Sequence, residues 1–234
     1  MYYISKGLVK NFMSFLQDVK GKLIVSCQAL PDEALHSPFI MGRMAKAAKE
    51  GGAAAIRAQS CADINEIKKV TGLPVIGLIK RNYDDSPIYI PPTMIEVEDL
   101  LTTGCEMIAL DMTNRKRPGN EKVEILVERI HESGRLVLAD ISTYEEGMDA
   151  ARIGADAIST TLSGYTPYSP QMTGPDVELV GKLSKELEIP VFAEGRINVP
   201  EDIRNVMKAG AYAPIVGSAI TRPQLITAKF ANAL

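Results

Sequence analysis

The amino-acid sequence predicts an α/β fold: a (βα)8 TIM barrel that occupies residues 1–234 as a single domain and carries an additional N-terminal helix. Short apolar strands alternate with amphipathic helices, and this alternation occurs eight times. Glycines recur at a nearly constant interval that corresponds to two strand–helix units. The length of 234 residues is also close to the ~250 residues that one barrel of this class needs.

Each predicted strand is a run of apolar and small residues, as expected for parallel strands that are buried on both faces. The segments between the strands have helical periodicity, for example PFIMGRMAKAAKEGG, EKVEILVERIHESG and PEDIRNVMKAG, and many of them end in glycine, the common C-terminal cap. In chain order the eight strands are KLIVSCQ from Lys22, AAAIRAQ from Ala53, PVIGLIK from Pro74, MIALDM from Met107, RLVLADI from Arg135, DAIST from Asp156, PVFAEG from Pro190 and APIVGS from Ala213.

Glycines stand shortly before every second predicted strand. Gly52, Gly104, Gly154 and Gly210 are separated by 52, 50 and 56 residues. Helix capping explains each glycine by itself but does not explain the regular spacing. A two-unit repeat that occurs four times predicts a sheet that closes at eight strands.

The N-terminal segment MYYISKGLVKNFMSFLQDVKGK is predicted to form an amphipathic helix. Leu8, Phe12, Phe15, Leu16 and Val19 recur at helical spacing, and charged residues interrupt any continuous apolar run. The segment has the pattern of neither a signal peptide nor a membrane span, and no other apolar stretch approaches the ~20 residues that a span needs. We therefore expect a cytoplasmic protein.

Composition and charge exclude some classes of binding partner. The chain is 46% hydrophobic and 24% charged, which is typical of a globular protein with a large core. Its net charge of -3 comes from interspersed charges without a one-sided basic patch, so we expect no nucleic acid partner. Because no apolar stretch is long enough to span a bilayer, we also expect no membrane partner. The three cysteines show no C-x-x-C spacing, which predicts free thiols in a reducing cytosol.

Polar side chains are predicted at the ends of five strands, where the active site of such a barrel lies. Alternation along a strand places them on the inward row; for example, Ile76, Leu78 and Lys80 share one face. Any one of these charges could be a solvated strand end or a structural ion pair. A buried ion pair is often no more stable than an apolar replacement, so a cluster of four charges predicts a functional site. The candidates are Ser26 and Gln28 on the first strand, Arg57 on the second, Lys80 on the third, Asp140 on the fifth and Glu194 on the seventh.

A phosphate site is predicted in the last two loops. AEGRI places Gly195 and Arg196 just after the seventh strand, and VGSAITRP places Gly217 and Ser218 at the start of a short helix after the eighth. Glycines allow the backbone to approach an anion closely, and N–H groups at a helix N-terminus favour negative charge. Together with Arg196 and Arg222, these loops predict a phosphorylated ligand.

The few histidines and the absence of several known catalytic motifs limit the types of reaction that the site can catalyse. The two histidines, His36 and His131, fall in or beside predicted helices, so a metal-dependent epimerase with His and carboxylate ligands is disfavoured. No HExxH, G-x-S-x-G, Walker or Rossmann motif occurs. Lys80 and Glu194 remain as proton-transfer groups, and they suit either proton abstraction next to a carbonyl or Schiff-base formation by the lysine.

Lys80 can act as a base near neutral pH only if its pKa falls by ~3 units from the ordinary value of ~10.4. Burial together with Arg57 or Arg81 would lower this pKa, whereas Glu194 would raise it. The sequence leaves the balance between these effects open.

Motifs of one known enzyme family occur in order along nearly the whole chain, one for each strand–helix unit: KLIVSCQAL, AAIRAQ, GLIKRNY, IALDMTNRKRP, LADIST, TTLSGYT, FAEGRI and VGSAITRP. In this combination the sequence resembles the N-acetylmannosamine-6-phosphate 2-epimerase family. The resemblance implies a cytoplasmic (βα)8 enzyme without a nucleotide or metal cofactor. Its activity would be the interconversion of N-acetylmannosamine 6-phosphate and N-acetylglucosamine 6-phosphate in sialic acid catabolism.

The same resemblance implies roles for the candidate site residues. Lys80 would be the catalytic acid/base, and Glu194 would be its carboxylate partner. The sugar and its N-acetyl group would be positioned by Gln28, Arg57 and Asp140. The phosphate would be held by Arg222 and by the backbone around Gly195, Gly217 and Ser218.

Two other functions stay open from the residues alone. A Schiff-base aldolase that acts on a phosphorylated keto acid would use the same lysine. A non-enzymatic barrel that senses a phosphorylated ligand would need a basic exterior stripe, which the sequence lacks, and would have little use for a buried Lys–Glu pair. Arg115, Arg117 and Tyr165 follow the fourth and sixth strands and are candidates for contacts that close over a substrate. A homodimer is also left open.

Overall fold

The computed structural model describes residues 14–234 and contains a closed barrel of eight parallel strands. Neighbouring strands pair in sequence order, and β1 closes the sheet by pairing with β8. Each strand lies within the segment predicted for it, so the predicted fold class is confirmed. The strands are β1 (Ile24–Cys27), β2 (Ala55–Gln59), β3 (Val75–Leu78), β4 (Met107–Asp111), β5 (Leu136–Asp140), β6 (Ala157–Ser159), β7 (Val191–Glu194) and β8 (Ala213–Val216).

Helices surround the barrel and connect its strands. Residues 14–19 are helical, which confirms that part of the predicted N-terminal helix, while Leu8 and Phe12 lie outside the described residues. Within the described part of the chain, no helix combines the length and the hydropathy that crossing a bilayer requires. The remaining helices are Pro38–Glu50, Cys61–Thr71, Met94–Leu101, Val123–Glu132, Tyr144–Ile153, Val177–Glu186, Pro200–Ala209, Ser218–Thr221 and Pro223–Ala231, with a 3-10 turn at Pro118–Asn120.

The regular glycine spacing has two physical causes. Gly154 and Gly210 are helix C-caps with φ of 113° and 112°, a left-handed conformation that glycine adopts without a steric penalty. Gly104 belongs to the same interval but does not have a positive φ. A Cβ at this position would lie 3.0 Å from Lys68 Cε, so close packing accounts for this glycine.

The core of the barrel interior is separate from the apolar layer between barrel and helices. Phe15 and Val19 join the interior core, and the backbone N–H of Gly21 donates to Tyr212 O at 2.8 Å, just before β8. Residues 14–19 therefore close the barrel at the end where the strands begin. The strand residues of the interior core are Ile24, Ala55, Ile76, Leu78, Met107, Ala109, Leu136, Leu138, Ala157, Phe192, Ala213 and Ile215. The outer core includes Val25, Ile56, Ile108, Val137 and Ile158.

The inward rows become polar at the carboxyl ends of the strands. Two residues beyond the interior Ile24, Ala55 and Phe192, the rows reach Ser26, Arg57 and Glu194. The register aligns Ser26 with Arg57. Because all strands are parallel, these ends meet at one mouth of the barrel.

The cysteines carry no cross-link. Cys27, Cys61 and Cys105 are all free, which confirms the predicted thiols. Burial raises the pKa of the Cys27 thiol to about 12, so this side chain stays protonated and packs as a small apolar group.

Replacing Phe192 by alanine should lower the free energy of unfolding by ~3–5 kcal/mol, because this ring is fully buried in the barrel interior. It also stacks on Tyr212 at a centroid distance of 5.9 Å. Urea unfolding followed by circular dichroism measures the change. Phe39→Ala is the matched control, since Phe39 is 59% exposed and should cost less than about 1 kcal/mol. Equal losses in the two variants would contradict the described packing of the interior.

Candidate active site

A cavity of about 710 Å³ opens at the carboxyl ends of the strands. Active sites of (βα)8 barrels lie at this end. Of the ten predicted site residues, nine line this cavity, and the tenth, Asp140, is fully buried and does not line it. Within residues 14–234, no three His, Cys, Asp or Glu side chains come together as a cation site. The other nine predicted residues line the cavity: Gln28, Arg57, Lys80, Glu194, Gly195, Arg196, Gly217, Ser218 and Arg222.

Arg57 binds two carboxylates at the floor of the cavity. Its Nη2 donates to Asp140 Oδ2 at 2.5 Å and its Nη1 donates to Asp140 Oδ1 at 2.9 Å, so the pair is bidentate. Nη1 also donates to Glu194 Oε2 at 2.7 Å. Burial lowers the pKa of Arg57, but the charges of Asp140 and Glu194 raise it by more, so the guanidinium stays charged.

Asp140 has a different place from the one that the family resemblance implied. The resemblance assigned it to positioning the sugar. In the structure its oxygens accept hydrogen bonds from Arg57 and Thr161, and its side chain has no exposed surface. Asp140 therefore orients the Arg57 guanidinium and does not face a ligand in the cavity.

Lys80 follows the end of β3 and has a strongly altered pKa. Its pKa is lowered to about 8, first because burial disfavours the ammonium form and then because of the nearby charges of Arg57 and Arg222. Glu194 and Asp140 oppose this change. Burial and the two arginines prevail, which answers the question that the sequence left open. The lowered pKa makes the neutral amine form of Lys80 accessible near neutral pH.

The pKa of Glu194 moves in the opposite direction. Burial raises it most, while the charge of Arg57 lowers it. Asp140 raises it further, and Thr161 and Lys80 lower it. The net effect is a raised pKa. A carboxyl with a raised pKa and an amine with a lowered one can both serve as acid and as base near neutral pH.

Lys80 and Glu194 stand on opposite sides of the mouth. Lys80 follows β3 and Glu194 ends β7, and these strands are four apart in a closed ring of eight. A small ligand between them meets an amine on one side and a carboxyl on the other. Arg81, which the sequence offered as a cation near Lys80, pairs instead with Glu96 at 2.7 Å, and Arg222 supplies the second cation.

The rim after β7 and β8 is suited to an anion. Gly195 has a φ of 101°, which glycine adopts without strain. Gly217 is the N-cap of the helix Ser218–Thr221, whose first backbone N–H groups lack partners within the helix. Arg222 lines the same cavity and donates to Glu33 Oε2 at 3.0 Å, a contact that holds its guanidinium at the rim.

The side chain of Arg196 binds backbone oxygens and not the predicted phosphate site. Its Nε donates to Gly174 O at 2.8 Å, and its Nη1 donates to Ser163 O. The guanidinium also lies over the ring of Tyr165 at 5.4 Å from the centroid. The side chain thus joins the loop after β7 to the loop after β6, which leaves the backbone of Arg196 as the part that can face an anion.

Gln28 presents an unused acceptor. Its Nε2 donates to Ser26 Oγ at 2.8 Å, while its buried Oε1 has no partner within the described structure. A buried polar atom without a partner costs free energy. Gln28 Oε1 is therefore suited to accept an N–H or O–H group of a ligand.

Sequence reasoning missed two hydroxyl residues of the site. Ser159 and Thr161 lie beside the carboxylates, and Thr161 also lines the cavity. A signal was available, because counting by twos from the inward Ala157 reaches both residues. The same rule reaches Asp111 at the end of β4. This carboxylate does not line the cavity, and its Oδ2 lies 2.6 Å from Arg115 Nη2.

The two arginines after β4 bind backbone oxygens. Arg115 donates to Pro87 O at 3.2 Å, and Arg117 donates to Pro91 O and Pro92 O at 3.2 and 3.1 Å. Neither side chain lines the cavity. Both arginines therefore hold the loop after β3 in place, which differs from the expected contact with a substrate.

Comparisons with known proteins agree on one family. The family model NanE, described as "Putative N-acetylmannosamine-6-phosphate epimerase", matches residues 41–234. A Clostridioides difficile protein named "Putative N-acetylmannosamine-6-phosphate 2-epimerase" is 64% identical over 219 residues, which cover 94% of this chain and 98% of that protein. A relative of the same name from Caldanaerobacter subterraneus is 51% identical over 220 residues, 93% of each chain. The solved structure of the N-acetylmannosamine-6-phosphate 2-epimerase from Clostridium perfringens matches with a TM-score of 0.92 at 64% identity, covering 94% of this chain and 96% of that one.

Replacing Arg57 by methionine should lower the free energy of unfolding by ~3–5 kcal/mol, because Asp140 and Glu194 would lose their cation in a buried site. Urea unfolding at neutral pH measures the loss. Arg152→Met is the matched control: it removes an exposed pair with Asp149 and should change the stability by less than about 1 kcal/mol. A loss for Arg57→Met as small as that of the control would show that the two carboxylates do not depend on Arg57.

Proposed function

The chain belongs to the N-acetylmannosamine-6-phosphate epimerase family, and we propose that the cavity at its barrel mouth is the active site, in which Lys80 and Glu194 move the proton at C2 of the sugar. The activity is that of a carbohydrate epimerase, an isomerase that interconverts N-acetylmannosamine 6-phosphate and N-acetylglucosamine 6-phosphate. One observation carries the proposal: Lys80 has a pKa lowered to about 8, and it faces, across one cavity, Glu194 with a raised pKa.

Inversion at C2 requires that the C2–H bond become acidic. The open-chain form of the sugar has an aldehyde at C1. When the proton leaves C2, the electrons of the broken bond move into an enolate whose negative charge lies on the C1 oxygen. The electron pair returns to the same carbon together with a proton, so the step is redox-neutral.

The opposite placement of the two groups supports inversion. Lys80, as a neutral amine, takes the proton from C2 and becomes an ammonium ion. Glu194, as a neutral acid, gives a proton to C2 from the other side and becomes a carboxylate. The reverse reaction uses Glu194 as the base and Lys80 as the acid. Proton exchange with solvent then restores the starting state.

The remaining residues bind and orient the sugar phosphate. The charge of Arg57 at the floor of the cavity stabilises the enolate oxygen. Gln28 Oε1 accepts a hydrogen bond from the N-acetyl N–H. Arg222 and the backbone N–H groups of Gly195 and Ser218 hold the phosphate at the rim.

The same proposal includes a role in sialic acid catabolism and a cytoplasmic location. The three free thiols fit a reducing compartment. A homodimer stays a prediction, and light scattering of the purified chain measures the oligomeric state.

In D2O the wild-type chain should place deuterium at C2 of the epimer it forms from N-acetylmannosamine 6-phosphate, because the proton that Glu194 gives to C2 comes from solvent, while exchange on Lys80 labels C2 of the starting sugar. Proton NMR follows the C2 signal and identifies each epimer. Glu194→Gln should retain exchange at C2 of the starting sugar but form product at least ~100-fold more slowly, since the second face lacks a proton donor.

Product without deuterium would overturn proton transfer at C2. An equal loss of exchange and of product in Glu194→Gln would contradict a direct role for Glu194 and leave it the role of tuning Lys80.

Lys80→Ala should lower kcat at least ~100-fold while the fold is retained. In the wild type, the active form holds one proton shared between Lys80 and Glu194, so kcat/KM should be bell-shaped in pH. The shared proton is lost as pH rises through the pKa of about 8, which predicts the alkaline limb there. Lys69→Ala truncates a 77%-exposed lysine and should keep the wild-type rate and profile. A fully active Lys80→Ala enzyme would rule out Lys80 as the base.

A further inference from the structure

The hydroxyl of Thr161 lies between the two buried carboxylates. Thr161 Oγ1 is 2.6 Å from Asp140 Oδ1 and 3.0 Å from Glu194 Oε2. Ser159 Oγ lies 2.8 Å from the same oxygen. Arg57 Nη1 also donates to it at 3.4 Å, so one hydroxyl has four polar neighbours within hydrogen-bond distance and a single hydrogen to give.

This hydroxyl can bond to Glu194 in both protonation states of the carboxyl. When Glu194 is ionised, Thr161 donates to it, and Asp140 keeps its two hydrogen bonds from Arg57. When Glu194 is protonated, the acid donates to Thr161 Oγ1, and the Thr161 hydrogen turns to Asp140 Oδ1. The second arrangement keeps the 2.6 Å contact between Thr161 Oγ1 and Asp140 Oδ1, whereas the first leaves no hydrogen between these two oxygens, so there they move apart.

The charged groups that face Glu194 each favour one of its protonation states. Arg57 on β2 and Lys80 after β3 carry positive charge and favour the carboxylate, while Asp140 on β5 favours the acid. Ser159 on β6 has a hydroxyl as well, but it lies 3.4 Å from Glu194 Oε2. Among these groups, Thr161 has the nearest hydroxyl that can both donate to this carboxyl and accept from it.

The backbone of Glu194 is fixed against β6. Thr160 Oγ1 donates to Glu194 O at 3.0 Å, and Glu194 N donates to Thr160 Oγ1 at 3.2 Å. A change in protonation at the carboxyl is therefore met by a rotation of the Thr161 hydroxyl, which needs no movement of the backbone.

We propose that Thr161 is a positioning residue whose hydroxyl reverses its hydrogen bond each time Glu194 gains or loses a proton, and thereby holds the carboxyl in one place in both directions of the reaction. The importance of this reversal for turnover rests on the proposed role of Glu194 as the second acid/base group.

Carbon-13 NMR of enzyme labelled at the glutamate carboxyl carbon measures the protonation of Glu194, whose resonance is identified by its loss in Glu194→Gln. Thr161→Val keeps the shape of the side chain but removes the hydroxyl. Because the Thr161 hydrogen bond lowers the pKa of Glu194, its loss should raise the titration midpoint by about one pH unit, or about 1.4 kcal/mol. Thr161→Ser retains the hydroxyl and should keep the midpoint near the wild-type value.

Kinetics separates this role from a purely structural one. Thr161→Val should lower kcat about tenfold with little change in KM, and the acid limb of kcat/KM should move up in pH with the NMR midpoint. A wild-type midpoint in Thr161→Val would overturn the proposal. If Thr161→Val does not fold by circular dichroism, Thr161→Ala, a truncation at the cavity wall, takes its place with the same expected and contrary results.

The NMR midpoint is independent of whether Glu194 acts in catalysis. A raised midpoint together with a fully active Glu194→Gln enzyme would support the hydrogen-bond reversal and overturn the catalytic role of Glu194. An unchanged midpoint together with an inactive Glu194→Gln enzyme would overturn the reversal and support the catalytic role.

Discussion

The ion pair between Arg57 and Asp140 is the interaction on which the site depends. Each of these charges loses several kcal/mol of hydration when it is buried, and only good geometry between the two offsets that loss. The bidentate contact at 2.5 and 2.9 Å provides it, and Arg57 Nη1 still reaches Glu194 at 2.7 Å. One buried cation thereby orients Glu194, forms the floor of the cavity and helps to lower the pKa of Lys80.

The apolar core beneath the mouth brings the pKa values of Lys80 and Glu194 closer together. In water, the pKa values of lysine and glutamate side chains differ by ~6 units. Burial disfavours the charged form of both, so the same surroundings lower the pKa of Lys80 and raise that of Glu194. Neighbouring charges then adjust the balance: Arg222 helps to lower the pKa of Lys80, and Asp140 helps to raise that of Glu194. The depth at which the strands end thus has the largest effect on both pKa values.

The arginines of the mouth show that one residue type has several uses here. Arg196 and Arg117 bind backbone oxygens and thereby join loops, whereas Arg222 lies at the rim where a phosphate would bind. A guanidinium offers five N–H donors in a fixed plane, which suits a group of carbonyl oxygens as well as it suits a phosphate. Which partner an arginine binds is decided by the loop that packs against it, and those loops come from other strands of the barrel.

The amino-acid sequence alone was enough to establish the eight strands, the closed barrel and the inward rows that end in Arg57 and Lys80. Strand alternation, apolar runs and glycine caps are local properties, so a short segment carries them. Thr161 lies on an inward row as well, but a neutral hydroxyl gives no sign in the sequence of the carboxylates beside it. Three-dimensional packing was needed to place Asp140 beneath Arg57, to turn Arg196 toward the loop after β6 and to fix the direction of the pKa change at Lys80. These properties depend on burial and on distances between residues far apart in the chain, such as the 83 positions that separate Arg57 from Asp140.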